Sequence, residues 1–396
     1  MTPEYKVELR ILDPIYEQQP DGAMGFSFNQ TLIGDIRPLA QNLKWTKART
    51  IKGVDSISFT VNDALFAEWL ATRSTSIDDV LRPQYLDCRI VRDGVDIVGG
   101  TLATLPAYSP LNASANLKLQ FDGYFNLLGG VYLYPTAARH ARFDVIMQDW
   151  VDLANQRCET QTGVVGGFSL TAGTVSSLAI VDRAVQDYKT VKDTIADAAD
   201  NSEGAGAFEF YVHPDRTYDI VADANFGTAR DYTICFPQRP SGVSATSVSA
   251  SEVDGYTTRM ICIGAGEVSS NPSENTAIIA EADAQDNPSP YAYVEGLLQL
   301  SSISTQSVLN SHAAAEVKAR SSILWEPEIT LDGRQVAPAP SGEPAIWIGD
   351  TVHFSNTLDR TGRMDGAFRV QQIDVSVSAT GAETIKPTLE RVEEEE

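Results

Sequence analysis

Hydrophobic residues recur at every second position through the first third of the chain. In QNLKWTKARTIKGVDSISFTVNDA (residues 41–64), Leu43 and Trp45 alternate with polar neighbours, and Ile57, Phe59 and Val61 do the same. That period predicts two strands joined by a loop. YKVELRIL alternates as well, near the start. YLDCRIVRDGVDIVGGTLATL reads as a hairpin turning at Asp93-Gly94, a dipeptide that tolerates the positive φ of a tight turn. NLKLQFDGYFNLLG adds a strand that leads into a further turn. Short strands with closely spaced turn signals predict a barrel or sandwich over residues 1–130.

The period then lengthens. RFDVIMQDWVDLANQ places Phe143, Ile146, Trp150 and Leu153 on one helical face. YKTVKDTIADAADNS does so with Val191, Ile195 and Ala199, and Thr190 is positioned as its N-cap. AFEFYVHPDRTYDIVAD reads as a hairpin turning near Pro214-Asp215. Residues 131–230 are therefore expected to form an α+β insertion. From residue 231 alternation returns in ATSVSASEVDGYTTRMICIGAGE. A polar, proline-punctuated loop follows, and Glu252–Glu295 holds eight acidic residues against one basic residue, Arg259. SVLNSHAAAEVKARSS predicts a third helix with Lys318 and Arg320 near its C-terminus, where the helix dipole favours cations. Residues 231–325 are expected to be a second barrel-like part carrying this loop and helix.

Residues 326–396 read as hairpins that close a barrel. A strand turns at Gly349-Asp350, and Val370, Ile373, Val375, Val377, Ile385 and Leu389 alternate around a turn at Ala379-Thr380-Gly381. The run EEEE is either a tail or the point at which a longer protein continues. No repeat of fixed period is visible.

Composition narrows the function. The 396 residues are 43% hydrophobic, enough for several cores, and suit two to four domains of about 100–200 residues each. Asp and Glu number 53 against 30 Lys and Arg, a formal net charge of -23. Most of such a surface repels phosphate and cannot track nucleic acid; a protein past which DNA slides remains allowed. The N-terminal residues lack the apolar stretch of a signal peptide, and no segment approaches the roughly 18 apolar residues of a membrane span. Cys88, Cys158, Cys235 and Cys262 are scattered with no CxxC pair, so they are expected to be reduced, buried small hydrophobes in a protein made in a cytoplasm.

Candidate chemistry is sparse. His140, His213, His312 and His353 lie far apart, and His140 is flanked by Arg139 and Arg142, a poor ligand setting. GAGEVSS (residues 264–270) faintly resembles a nucleotide loop, but no helical pattern follows, and a turn or bulge explains its glycines. GVSATS lacks the second glycine of a nucleophile elbow. Carboxylates are abundant, yet those beside Phe143 and Trp150 fit the polar face of a helix. DAQDNPSPY lacks calcium-loop spacing. No catalytic residue, metal ligand or cofactor is assigned.

Taken in order, four stretches resemble the baseplate hub, or tail-associated, proteins at the tip of long phage tails, relatives of contractile-tail hubs. They are LKWTKARTIKGVDSISFTVND, YLDCRIVRDGVDIVGGTLATL, YKTVKDTIADAADNSEGAGAFEFYVHPDRTYDIV, and GDTVHF with GAFRVQQIDVSVSATGAETIKPTLE. Together they span most of the chain, and their order is more specific than any one of them. The resemblance implies a mainly β protein of two tail-tube-like β-barrels with smaller inserted domains. It implies a homotrimeric ring that adapts a hexameric tail tube to a three-fold tip and lines the DNA channel. It also implies a virion location and partners among the distal tail or tube protein, the tape measure protein, a central fibre or spike and receptor-binding proteins. No enzymatic residue carries over. A distal tail or other structural tail-tip component, or a glycan- or peptidoglycan-active tail enzyme, are the alternatives.

One local feature runs against the overall charge. The loop after Trp45 gathers Lys44, Lys47, Arg49 and Lys52. It is read either as a solvated hairpin tip or as a basic loop that docks on an acidic face of a neighbouring subunit.

Overall fold

The computed structural model describes residues 3–18, 24–50, 53–83, 85–106, 116–162, 169–185, 188–200, 207–237, 242–252, 257–266, 276–284, 293–300, 303, 305–320, 325–342, 344–358 and 364–392. The first part holds strands β1 (Tyr5–Gln18), β2 (Met24–Asp35), β3 (Gln41–Ala48), β4 (Ser56–Asn62), β5 (Leu86–Arg92), β6 (Val95–Leu102) and β7 (Asn116–Gly123). Helices α1 (Asp63–Ala71) and α2 (Ile77–Val80) lie between β4 and β5. The insertion follows with β8 (Thr136–Arg142), α3 (Phe143–Thr162), β9 (Thr171–Val175), β10 (Ile180–Val185), α4 (Val191–Asp200), β11 (Phe208–Val212) and β12 (Thr217–Ala222). Next come β13 (Ala229–Phe236), β14 (Val243–Glu252), β15 (Arg259–Ile263), β16 (Ile279–Asp283), β17 (Glu295–Gln299) and helix α5 (Gln306–Arg320). The chain closes with β18 (Trp325–Asp332), the short β19 (Ala337–Pro338) and β20 (Ala345–Ile346), then β21 (Thr351–Asn356), β22 (Gly366–Val377) and β23 (Glu383–Arg391).

Two compact units result. One contains residues 1–248, 329–358 and 366–396; the other contains 249–328 and 359–365. In the first unit, strands β22-β21-β13-β14-β18-β23 form a ring closed by pairing of β22 with β23, a barrel of six strands. The strands β1-β5-β6-β7-β4-β3 form the other barrel-like array, and a turn over residues 36–40 bridges β1 to β3 through Ile36 N–H to the Val7 carbonyl at 2.8 Å. The mainly β, two-barrel expectation holds.

The alternation seen in the sequence decides what is buried. Leu43 and Trp45 of β3, Ile57, Phe59 and Val61 of β4, and Leu117, Leu119 and Phe121 of β7 are all buried, with Phe59 stacked on Phe121. Asp93 and Gly94 both take positive φ, 50° and 82°, as the turn required. In β22 the buried parity switches from Val370 to Ile373, because a bulge falls between Val370 and Gln372. Helix α1 was not anticipated. Asn62 caps it by accepting from the Leu65 amide at 3.2 Å, and it buries Phe66 and Leu70 beside the first barrel.

The insertion has its own core. Phe143, Ile146 and Trp150 of α3 meet Val191, Ile195 and Ala199 of α4 and Phe208 and Phe210 of β11; Leu153 packs at the margin. Thr190 caps α4, accepting from the Asp193 amide at 3.0 Å. Within 231–325 the allocation differs from expectation. Strand β13 and most of β14 belong to the closed barrel, whereas residues 249–328 form the second unit, a β16-β15-β17 sheet carrying α5. Leu309, Ala313 and Val317 recur at four-residue spacing on α5 and pack on Met260, Cys262 and Ala280. Gly264 and Gly266 serve the loop after β15, Gly264 N–H meeting the Ile278 carbonyl at 2.8 Å, which accounts for the described part of GAGEVSS. DAQDNPSPY beyond Ala284 and the EEEE run lie outside the described residues. Cys88, Cys235 and Cys262 are buried free thiols.

Candidate functional site: a buried charge network between barrels and insertion

Strand β3 continues its inward parity past Trp45. The next residues on that face are Lys47 and Arg49, which are 2% and 4% exposed. Lys47 and Arg49 thus do not stand at a projecting tip; both side chains are turned into the protomer. Burying either charge alone would cost several kcal/mol, so each must find a partner inside the chain. Lys47 Nζ sits 2.5 Å from Asp55 Oδ2, donates to the Val212 carbonyl at 2.9 Å, and lies 4.2 Å from the Tyr211 ring centre. Burial opposes the ammonium form, but Asp55 and Tyr211 hold the Lys47 pKa above its ordinary value. Lys44, of opposite parity, is exposed, and Lys52 lies outside the described residues.

Arg49 reaches both the insertion and the second barrel. Its Nε donates to Glu209 Oε2 at 3.0 Å, Nη1 to Gln371 Oε1 at 3.1 Å, and Nη2 to Asp223. Glu209 also accepts from the Thr50 amide at 2.6 Å. Burial raises the Glu209 carboxyl above its usual range, against the pull of Arg49 and Thr50. Asp223 is shared: Arg369 Nη1 of β22 meets its other oxygen at 2.5 Å, and Arg369 Nη2 donates to the Asp223 and Phe226 carbonyls at 2.8 and 2.9 Å. Arg49, Asp223, Arg369, Gln371, Glu390 and Arg391 line an open cavity of about 340 Å³, whose cationic and anionic walls largely cancel.

Further nodes tie the same three bodies. Arg216, at the β11–β12 turn with φ 70°, reaches Asp87 of β5 at 3.3 Å, while Tyr124 donates to the same carboxylate at 2.6 Å. Glu383 of β23 is buried between Arg92 of β5, at 2.7 Å, and Tyr5 of β1, whose hydroxyl donates to it. Burial and the adjacent Glu383 push the Tyr5 phenol well above its ordinary value. Asp350 accepts from the amides of Thr228 and Trp347, at 3.0 and 2.7 Å, and pairs with Arg230. Gly227 approaches so closely here that a Cβ would stand 2.0 Å from the Gly349 oxygen. Chemically this network can hold bodies in register.

The histidines do not converge. His213 pairs with Asp219 at 2.8 Å, His140 and His353 are exposed, and His312 is half-buried, all on separate elements. Among the described residues no group of three or more His, Cys, Asp or Glu side chains is placed to hold a metal. No described helix is long and apolar enough to cross a membrane.

These features define a two-barrel protein whose inserted domain is keyed to both barrels by buried charge. Solved structures share that architecture end to end. The chain superposes on a tail protein from Neisseria meningitidis with a TM-score of 0.57 at 12% identity, covering 98% of this chain and 96% of that one. It is also similar to the 43 kDa tail protein of prophage MuSo2 from Shewanella oneidensis, with a TM-score of 0.60, 9% identity and 98% of each chain covered. A prophage tail protein from Listeria monocytogenes gives 0.54 at 8% identity over 96% of this chain and 94% of that one. No family model and no curated protein sequence matches. The fold is that of phage tail proteins.

Proposed function

We propose that the protein is a structural hub at the tip of a phage or phage-like tail. Three copies form a ring, their paired barrels meet a hexameric tube, and the ring lines the channel through which DNA passes. The observation that carries this reading is the end-to-end match to prophage tail proteins, barrels and insertion included, with 98% of both chains covered in one case. The buried network supports it, because a ring that bears load needs rigid protomers. The net charge of -23 supports it too, since an acidic lumen lets phosphate slide without sticking. Its neighbours would be a distal tail or tube protein, the tape measure protein, a central fibre or spike and receptor-binding proteins. Among the described cations singled out above, a role at a subunit contact falls to exposed Lys44.

Imaging of intact particles tests the proposal. Three copies at the tail tip around an acidic channel are expected. Six copies would point to a distal ring instead, and a positively charged lumen would remove the electrostatic part. Purified protein is expected to release no sugar or peptide from cell walls.

A further inference from the structure

The stretch Val131–Tyr134 is extended and alternates strictly. Val131 and Leu133 are buried in the insertion core, whereas Tyr132 and Tyr134 are 55% and 60% exposed. Alternation of this kind ordinarily leaves polar residues outside. Here the outer positions are aromatic. A third tyrosine joins them: the Tyr132–Thr190 bridge, with Leu133 N–H to the Lys189 carbonyl at 2.8 Å, lays Tyr188 alongside. Tyr188 is 66% exposed, and its ring meets that of Tyr134 edge-on at 5.8 Å. Arg157 of α3 stacks on Tyr134 at 4.7 Å and donates to the Tyr132 carbonyl at 2.5 Å.

Exposed tyrosines backed by an arginine have the composition of a protein-binding hot spot. A sugar platform needs a flat aromatic face, but these two rings stand at 83° to one another. The electrostatics select the partner. Among the described residues Arg157 is in no ion pair, and Lys189 is matched by Asp197 at 2.5 Å, so the patch is not acidic. A second copy of this chain, at -23, offers an acidic surface over most approaches. The patch does not complement itself, so the contact is heterologous, the kind that closes rings. We infer that the Tyr132–Tyr134–Tyr188 patch is the face by which one copy of this chain holds the next. The inference rests on the ring proposed above and names its contact.

The test is photo-crosslinking in assembled particles, with p-benzoylphenylalanine in place of Tyr134. The expected product is a cross-link from this position to a peptide of a second copy, giving a ladder on denaturing gels that stops at the ring size. A cross-link to a different tail protein, or none in particles that contain the labelled chain, overturns the inference and leaves the hub reading intact. Absence of the chain from tails overturns both. As a second arm, Tyr134→Ala with Tyr188→Ala, and separately Arg157→Glu, are expected to lower incorporation at least tenfold with an unchanged melting temperature. Tyr134→Phe should restore it. Wild-type incorporation of both variants overturns the inference.

Discussion

Arg92 and Glu383 stand 291 positions apart in sequence and form a two-point ion pair, Nε to Oε1 at 2.7 Å and Nη2 to Oε2 at 3.1 Å. One belongs to the first barrel and the other to the closed barrel, so the pair fastens them. Removing the carboxylate strands a half-buried guanidinium. Glu383→Ala should lower stability by about 3–5 kcal/mol, whereas Arg92→Met with Glu383→Leu should recover much of that. Urea midpoints of the variants, read by tryptophan fluorescence, check this.

Lys47 and Lys44 make a sharper contrast, since they are neighbours in one strand. Lys47→Met leaves Asp55 and the Val212 carbonyl without their buried donor and should cost about 3 kcal/mol or more. Lys44→Glu, on the exposed parity, should change folding by no more than about 0.5 kcal/mol. Thermal melts of the two variants separate them. Equal loss in both would mean that Lys47 is not buried as described.

Acid should loosen α3. Burial disfavours the Asp144 carboxylate, but Arg142, at 2.5 Å, and the Leu178 amide, at 2.9 Å, more than offset it and hold its pKa below the ordinary 3.8. A lowered carboxylate contributes stability above its unfolded pKa and loses it as pH falls through the folded one. Protection of the residue 143–162 amides, taken relative to their intrinsic exchange at each pH, is therefore expected to be flat from neutral pH down to about 4 and to fall below that. Asp144→Asn should remove the acid-dependent step.

Gly227 admits no side chain. Its φ of 88° is already a region that L-residues avoid, and a Cβ would overlap the Gly349 oxygen. Gly227→Ala should cost about 1–3 kcal/mol through forced backbone movement and should weaken protection of the Thr228 amide on Asp350. Exchange at that amide is the readout.

The elements that depend on near neighbours were legible in the sequence. Asp93-Gly94 turns, Thr190 caps, and the helical stripe of Val191, Ile195 and Ala199 is buried. What escaped depends on distant partners. Arg49 is matched by Glu209 and Gln371, 160 and 322 positions away, and no local pattern announces them. A signal was nonetheless present. Leu43, Trp45, Lys47 and Arg49 share one parity, so the strand that buries the first two carries the next two inward. Charge alone made them look exposed. Helix α1 was hidden because its apolar residues follow directly on an alternating strand. The second unit was hidden because its sheet strands read like any others.

Strand β22 pairs with β3 along Gln372–Val377, with β21 near its start and with β23 over most of its length. The closed barrel therefore cannot be completed on a nascent chain until β22 and β23 are out of the ribosome. Until then β3 is paired with β4 on one side only, and its other edge waits for β22. Folding of this protein is consequently slow to commit and dominated by long-range closure. A protomer that is not fully synthesised lacks the joint between its barrels, so truncated chains are poor competitors for a place in any assembly.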